Sequence, residues 1–412
     1  MLNNLAPQVK QYLLITANYW AFTLTDGALR MLIVLYFYQL GFGALQIAML
    51  FLFYEFFGVV TNFIGGWLGA RIGLNKIMNI GLGLQIAALG MLLVPTEYLS
   101  VAYVMAVQAL SGIAKDLNKM SAKSAIKLLV ADDAQTQLYK WVALLTGSKN
   151  TLKGVGFFLG GALLSGLGFS GAVLSMFAML CGVWLLSLIM LQGDLGRVKK
   201  KPKFKQLFAK SEAINWLSAA RLFLFGARDV WFVVALPVYL ASTLAWDHWS
   251  VGAFMASWVI GYGVVQSLTP YITGRSKKAD VKETGIGSEA TSLSRSAMFW
   301  SALLAVIPAF IAIALSADFY PQYSLVLGLL VFGAVFAINS SLHSYLIVRY
   351  ASDDGVSMDV GFYYTANALG RLIGTVLSGA IFQFYGLVAC LWVSAVFISL
   401  VVVLCAKLPE EG

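Results

Sequence analysis

The sequence contains few charged residues. Only 11% of its 412 residues are Asp, Glu, Lys or Arg, whereas soluble domains usually carry about 25%. Hydrophobic residues make up 60% of the chain and form blocks of about 20 to 30 residues, each long enough to cross a bilayer as a helix. The ten-residue segments of alternating hydrophobicity that mark barrel strands are absent. The composition therefore predicts an all-α membrane protein.

Histidine and cysteine are also scarce, with two and three residues respectively. Cys181, Cys390 and Cys405 lie inside apolar blocks, which predicts reduced packing residues. The sequence has no metal-ligand cluster, no nucleophile triad and no nucleotide-binding glycine loop. We therefore expect no metal, no cofactor and no catalytic residue. A metalloenzyme or a nucleotide-driven pump is accordingly disfavoured, and a membrane-embedded enzyme or scaffold is the weakest of the functional hypotheses.

Twelve apolar spans are predicted. They cover residues 11–40, 45–70, 77–94, 99–128, 138–167, 171–191, 214–244, 251–273, 297–316, 323–348, 360–385 and 387–406. Lysine and arginine concentrate in alternate loops, most strongly in the central one at 197–210. By the positive-inside rule, both termini and this loop are cytoplasmic. Topology thus explains the net charge of +9 without nucleic acid.

The chain also resembles itself. Residues 154–168 align without a gap to residues 372–386, and shorter matches occur elsewhere in the same order. Chance matching of glycine-rich helices is the alternative to a true duplication. A duplication predicts six-helix halves at 1–192 and 214–412, joined by a basic cytoplasmic linker at 193–213, the plan of alternating-access transporters. The equated positions are Gly156 with Gly374, Gly161 with Gly379, Gly168 with Gly386, Gly112 with Gly333, and Asn118 with Asn339.

The few charges inside spans are unevenly distributed. Spans one, two, four, five, seven and eleven carry them, whereas spans three, six, nine and twelve carry none in their interiors. Charges at the bilayer centre are costly and usually face a water-filled cavity. Eight of the twelve charges are basic, which predicts a cleft for a multivalent anion. They are Asp26, Arg30, Glu55, Lys115, Asp116, Lys119, Lys149, Lys153, Arg221, Arg228, Asp229 and Arg371.

Span four contains three of these charges, Lys115, Asp116 and Lys119, and its lysines continue at a spacing of four with Lys123 and Lys127 toward its end. We expect Lys115 to lie level with Lys153 of span five, and Lys119 level with Lys149, which makes two cationic rungs. The alternative is that Asp26 with Arg30, and Asp116 with Lys119, form internal ion pairs that only hold helices together.

The candidate site consists of charged residues within the spans and of the two asparagines that the repeat alignment equates, Asn118 and Asn339. Arginine binds oxyanions in bidentate fashion and lysine acts as a point charge, while buried acids exchange protons. His343 is interpreted as a packed polar residue, with a proton relay as the alternative. The substrate-binding candidates are Arg30, Lys115, Asn118, Lys119, Lys149, Lys153, Arg228, Asn339 and Arg371, and the proton-coupling candidates are Asp26, Glu55, Asp116 and Asp229.

A short loop motif gives the first family resemblance. The segment GGWLGARIGLNK, residues 65–76, resembles the loop motif of the major facilitator superfamily through Gly66, Leu68, Arg71 and Gly73. This resemblance implies twelve transmembrane helices in two pseudo-symmetric halves. The motif's acid is replaced by Ala70, so the gate ion pair of the family is not expected here.

Longer segments resemble one family more closely. Residues 18–30, 47–62, 109–129, 141–161 and 223–240 are similar to the ArsJ family of organoarsenical-efflux permeases in bacterial arsenic-resistance operons. That resemblance implies a monomeric permease of the bacterial inner membrane that exports 1-arseno-3-phosphoglycerate and so confers arsenate resistance. Glyceraldehyde-3-phosphate dehydrogenase forms this ester when it uses arsenate. A general organophosphate/phosphate antiporter is the alternative.

Overall fold

The computed structural model describes residues 7–41, 50–130, 135–191, 195–196, 210–246, 248–273, 286–352 and 356–409. Within these ranges the chain is helical between short turns and contains no strand. Eleven α-helices fall in the described ranges: α1 Pro7–Gln39, α2 Leu52–Ile72, α3 Leu74–Met91, α4 Val101–Leu129, α5 Gln135–Met190, α6 Glu212–Phe232, α7 Ala235–Ser242, α8 His248–Ile272, α9 Ile286–Ser316, α10 Pro321–Tyr350 and α11 Val356–Cys405.

Two of these helices turn sharply at a glycine. Gly168 in α5 has φ 67° and ψ −178°, and Gly386 in α11 has φ 74° and ψ −175°. This positive φ favours glycine, which has no Cβ. Each helix therefore consists of a first and a second arm, and the repeat alignment had equated these two glycines. With the arms counted separately and α6 and α7 taken as one crossing, the described helices agree with the twelve predicted spans.

Length and composition support membrane crossing. Seven described segments are long and apolar enough to span a bilayer, and the two longest, Thr136–Met190 and Val356–Cys405, each contain a glycine turn between their arms. The predicted fold class is thus confirmed. Residues 42–49, where span two was predicted to begin, and most of the predicted linker at 193–213 lie outside the described residues. The division at 1–192 and 214–412 stays a prediction.

The chain forms two compact units. Unit 1 comprises residues 1–141, 148–209 and 351–365, and unit 2 comprises residues 142–147, 210–350 and 366–412. In unit 1, α4 packs against α1, α2 and α3, and in unit 2, α10 packs against α6, α8 and α9. Each of these central helices is buried on nearly all sides along its second half. Their polar residues therefore face protein.

Glycines bring the first helix of each unit against a later one. In unit 1, a Cβ on Gly156 of α5 would lie 2.7 Å from the carbonyl oxygen of Leu24 in α1. In unit 2, a Cβ on Gly374 of α11 would lie 2.7 Å from the carbonyl oxygen of Gly226 in α6. Real Cβ atoms do not approach so closely, so both crossings require glycine. These crossings place the charged residues of α1 and α6 beside those of α5 and α11.

The loop motif forms the tight connection between α2 and α3. Gly73, with φ 95°, is the single residue between the two helices. The guanidinium of Arg71 lies over the ring of Trp67, with Cζ 4.6 Å from the ring centroid. Ala70 is buried. The motif therefore shapes a turn here, and the alanine offers no carboxylate for the family's ion pair.

Candidate functional site

The charged residues of α1, α2 and α4 meet in unit 1. Arg30 Nη2 lies 3.1 Å from Glu55 Oε1, and Lys115 Nζ lies 3.9 Å from Glu55 Oε2. Lys115 Nζ is also 3.5 Å from Asp116 Oδ2, and Lys119 pairs with the other oxygen of Asp116. We call this group, completed by Asp26 and Tyr54, the unit 1 cluster. Three helices thus contribute to one alternating arrangement of cations and carboxylates.

Exposure separates the members of the unit 1 cluster. The side chains of Arg30 and Glu55 are 25% and 27% exposed, whereas that of Asp116 is 2% exposed. A Cβ on Gly58 of α2 would lie 2.6 Å from Asp116 Oδ2. The buried Asp116 carboxylate therefore packs against the α2 backbone at Gly58 and forms ion pairs with Lys115 and Lys119. Arg30 and Glu55 form the more accessible part of the cluster.

Two tyrosines that the sequence interpretation missed face these cations. Lys115 Nζ lies 3.8 Å from the ring centroid of Tyr54, and Lys119 Nζ lies 4.7 Å from that of Tyr364, which α11 contributes to unit 1. The Tyr54 hydroxyl donates a 2.6 Å hydrogen bond to Asp26 Oδ1. Aromatic faces stabilise desolvated cations. The anticipated pair of Asp116 with Lys119 is present, whereas Arg30 pairs with Glu55.

The other candidates of unit 1 lie nearby along the helices. Lys149 and Lys153 are half-buried on the first arm of α5, and the carbonyl of Lys153 lies at the contact with Gly27 of α1. The two cationic rungs stay a prediction. Asn118 is buried, and its Nδ2 donates to the Ala114 carbonyl at 2.9 Å and faces Gly81 of α3. Its hydrogen bond therefore stays within α4, while its amide packs against α3.

In unit 2, two arginines share one acid. Arg228 Nη2 is 2.5 Å from Asp229 Oδ1, and Arg371 Nε is 3.2 Å from Asp229 Oδ2. The Asp229 side chain is fully buried, whereas those of Arg228 and Arg371 are 15% and 27% exposed. We call these three residues, together with Arg221, the unit 2 cluster. Its guanidinium groups outnumber its carboxylates three to one.

Arg221 and Arg228 have different surroundings. Arg221 is buried, donates from Nε to Asn367 Oδ1 at 2.9 Å, and donates from Nη1 to the Ser340 carbonyl at 3.2 Å. Arg228 lies among three rings, with Cζ 4.9 Å from the centroid of Phe225 and within 6 Å of two more, Phe232 and Phe336. Arg221 thus braces α6 against its neighbours, and Arg371 is the most accessible guanidinium of the cluster.

The matched asparagine and the histidine of α10 are buried beside Ser340, whose carbonyl accepts from Arg221. Asn339 is fully buried, and its Oδ1 accepts a 2.9 Å hydrogen bond from Ser301 of α9. His343 is fully buried, with Nε2 3.6 Å from the sulfur of Cys405. Asn339 therefore bridges two helices by a hydrogen bond, whereas Asn118 packs against its neighbouring helix in unit 1. Among the described residues, the three cysteines are free and no group of three metal-ligating side chains occurs.

A family model of the Major Facilitator Superfamily matches residues 15–293. The chain belongs to the Major Facilitator Superfamily. It is accordingly a multi-pass membrane transporter, with a small-molecule substrate and a lipid bilayer around it. A search of curated protein sequences finds no match.

Solved transporters share the fold at low sequence identity. A bacterial homologue of the iron transporter ferroportin, in its outward-facing state, is 14% identical with a TM-score of 0.75, covering 97% of this chain and 99% of its own. The human organic anion transporter MFSD10 is 14% identical, with a TM-score of 0.74 over 97% and 100% of the two chains. The Escherichia coli fucose:proton symporter FucP is 10% identical, with a TM-score of 0.74 over 98% and 100%. At these identities the likeness concerns the fold alone.

Proposed function

We propose that this transporter exports an anionic organic ester, and that the ester is 1-arseno-3-phosphoglycerate. The observation that carries the proposal is the sharing of Asp229 between Arg228 and Arg371, while Arg221 contacts the ring of Phe225, as Arg228 does. A phosphate monoester carries about −1.5 to −2 charges near neutral pH. Such a group adds negative charge beside the Asp229 carboxylate, and the planar guanidinium of Arg371 binds its oxygens in bidentate fashion.

In unit 1, we propose that lysines supply the anion-binding groups. Lys115 and Lys119 are held in place by carboxylates beneath them, and their ammonium groups adapt to a moving substrate because lysine is a flexible point charge. Arg30 adds a guanidinium at the accessible part of the cluster. The remaining substrate-binding candidates are Lys149 and Lys153 on α5 and the amides of Asn118 and Asn339.

The acids of both clusters are proposed to couple transport to the proton gradient. Asp26, Glu55, Asp116 and Asp229 are the candidates, because a carboxylate near cations and partly removed from water changes its proton occupancy when the surrounding charge changes. Export by alternating access then follows the plan of duplicated transporters. We place the protein in the bacterial inner membrane as a monomer with cytoplasmic termini, where it would confer arsenate resistance and receive its ester from glyceraldehyde-3-phosphate dehydrogenase.

A general organophosphate/phosphate antiporter is the second candidate. The unit 2 cluster offers guanidinium groups to oxyanions, and phosphate and arsenate esters present the same tetrahedral oxygens. MFSD10, one of the solved structures with this fold, is an organic anion transporter, so the fold accommodates anionic cargo. The two candidates differ in what returns across the membrane: a proton in the first, and inorganic phosphate in the second.

Uptake into everted vesicles tests both. The ester is generated outside the vesicles from glyceraldehyde 3-phosphate, arsenate, NAD and the dehydrogenase, and arsenic inside is measured with and without an imposed proton gradient. We expect gradient-dependent uptake that 3-phosphoglycerate inhibits and arsenate alone inhibits weakly. Acceleration by phosphate trapped inside the vesicles selects the antiporter. Uptake equal to that of vesicles without the protein refutes both.

A further inference from the structure

Tyr54 connects a buried acid to two cations. Its hydroxyl donates to Asp26 Oδ1 at 2.6 Å, and its side chain is almost fully buried. Its ring faces Lys115 Nζ at 3.8 Å and Arg30 Cζ at 4.8 Å. A Cβ on Gly112 of α4 would lie 2.9 Å from the Tyr54 Cα, so α4 presses directly on this part of α2. One tyrosine thus touches the acid of α1 and the cations of α1 and α4.

Asp26 differs from the other acids of unit 1. Glu55 and Asp116 each have two cationic nitrogens within 4 Å. For Asp26, the polar contact seen among the described residues is the neutral Tyr54 hydroxyl. A cation close to a carboxylate favours its charged form, whereas burial disfavours it. Asp26 therefore differs from the other two acids in that its described polar contact is a hydroxyl instead of a cation.

We infer that Tyr54 is a positioning residue that holds Lys115 and Arg30 in the anion-binding arrangement only while Asp26 is ionised. This inference rests on the proposed function and assigns its proton coupling to one pair of residues. With Asp26 ionised, the hydroxyl makes a charge-assisted hydrogen bond that fixes the ring. When the carboxylate takes a proton from water and becomes a carboxylic acid, that bond becomes a weaker neutral one. The ring then turns more freely, and both cations lose their aromatic contact. When the proton returns to water, the arrangement is restored.

Other charged and titratable groups lie on the helices packed around Asp26 and Tyr54. They are Tyr19 and Arg30 on α1, Glu55 on α2, Lys115 and Asp116 on α4, Lys153 on α5, and Tyr364 on α11. Glu55 and Asp116 keep Lys115 and Arg30 near the site in either state, so protonation of Asp26 changes their alignment without expelling them.

Tyr54→Phe is the sharpest test, because it keeps the ring but removes the hydroxyl through which the ring responds to Asp26. Purified protein is reconstituted in liposomes, and 3-phosphoglycerate and the arseno-ester are used as probes across a pH series. Because the ring is then unfixed whether Asp26 is ionised or not, we expect Tyr54→Phe to lose about tenfold in uptake at the pH at which the unmodified protein transports best, and to show a nearly flat pH profile. A profile with the height and shape of that of the unmodified protein overturns the inference.

The matched control is Tyr103→Phe, which removes a hydroxyl that donates to the Met91 carbonyl at 2.8 Å, away from the cluster. We expect it to leave the profile unchanged. Infrared difference spectra between high and low pH supply a readout that needs no transport. The carbonyl stretch of a protonated carboxylic acid disappears in Asp26→Asn and shifts in frequency in Tyr54→Phe. An unshifted band contradicts the inference, whereas a shifted band without uptake of either probe refutes only the proposed function.

Discussion

The two units use the same backbone devices with different charges. Gly168 and Gly386 make nearly identical left-handed turns, and Gly156 and Gly374 sit at equivalent close crossings with the first helix of their unit. The unit 1 cluster, however, pairs carboxylates with two lysines and one arginine, whereas in the unit 2 cluster two arginines share a single acid and Arg221 hydrogen-bonds to Asn367 and Ser340 instead. Both units keep glycine at these positions because a side chain would clash there or strain the backbone. The charged residues are under no such steric requirement and differ between the units.

This difference has a physical consequence. In the unit 1 cluster, as defined above, three cations meet three acids, so its charges nearly balance. In the unit 2 cluster, two arginines pair with one buried carboxylate, and charges inside a membrane protein depend on such partners. We therefore expect unit 2 to depend more strongly on its one acid for stability, and unit 1 to respond more strongly to pH.

The largest expected effect is on transport. Lys115→Ala and Arg371→Ala each remove the more accessible cation that a buried acid orients in its unit. Losing a charge-assisted contact to the substrate costs about 2 to 3 kcal/mol, or roughly 30- to 150-fold in uptake. Arsenate sensitivity of cells and ester uptake by vesicles measure this loss, with membrane abundance checked by immunoblot. Full resistance in either variant removes that unit from the proposed site.

The next largest effect is on stability, and it contrasts the acids. Asp229→Asn leaves Arg228 and Arg371 without their shared counter-charge, and removing one partner of a buried ion pair costs about 3 to 5 kcal/mol. Glu55→Gln acts on a part-exposed carboxylate whose cations have other partners, so we expect about 1 kcal/mol or less. Thermal unfolding in detergent measures both variants. Equal destabilisation would erase the contrast between the units.

Much of this architecture follows from the sequence. The length of the apolar blocks predicts the helices, and the ungapped repeat predicts that Gly168 and Gly386 are equivalent, because a left-handed turn needs glycine in both halves. The charged residues of α1, α2 and α4 do meet, as the cost of charge in a membrane requires. Asp229 and Arg371 likewise pair within unit 2.

What the sequence does not reveal depends on how helices rotate against each other. A spacing of four permits Asp26 to pair with Arg30, but Glu55 on α2 competes for the arginine and binds it. Tyr54 lies in an apolar span, and 14% of the residues in the whole chain are aromatic. Its local sequence therefore does not distinguish it from aromatic residues that face lipid. The position of Tyr54 directly before Glu55 is the one feature of the sequence that indicates a role beside the charges. Asn118 and Asn339 lie in helix contacts because α4 and α10 are surrounded by protein.

The smallest expected effect tests the shared backbone. Gly374→Ala puts a Cβ 2.7 Å from the Gly226 carbonyl oxygen and 3.0 Å from the Asp229 Cβ, whereas Gly379→Ala, one turn further along α11, has no atom within 4 Å. Overpacking costs about 1 to 3 kcal/mol, while alanine in an open helical position gains up to about 1 kcal/mol over glycine. Unfolding of the two variants should therefore differ in sign. Because the clash also pushes on Asp229, Gly374→Ala should weaken ester uptake, and Gly379→Ala should not. If both variants behave alike, the crossing of α6 and α11 tolerates a side chain, and the glycine matched to Gly156 reflects composition instead of a steric requirement.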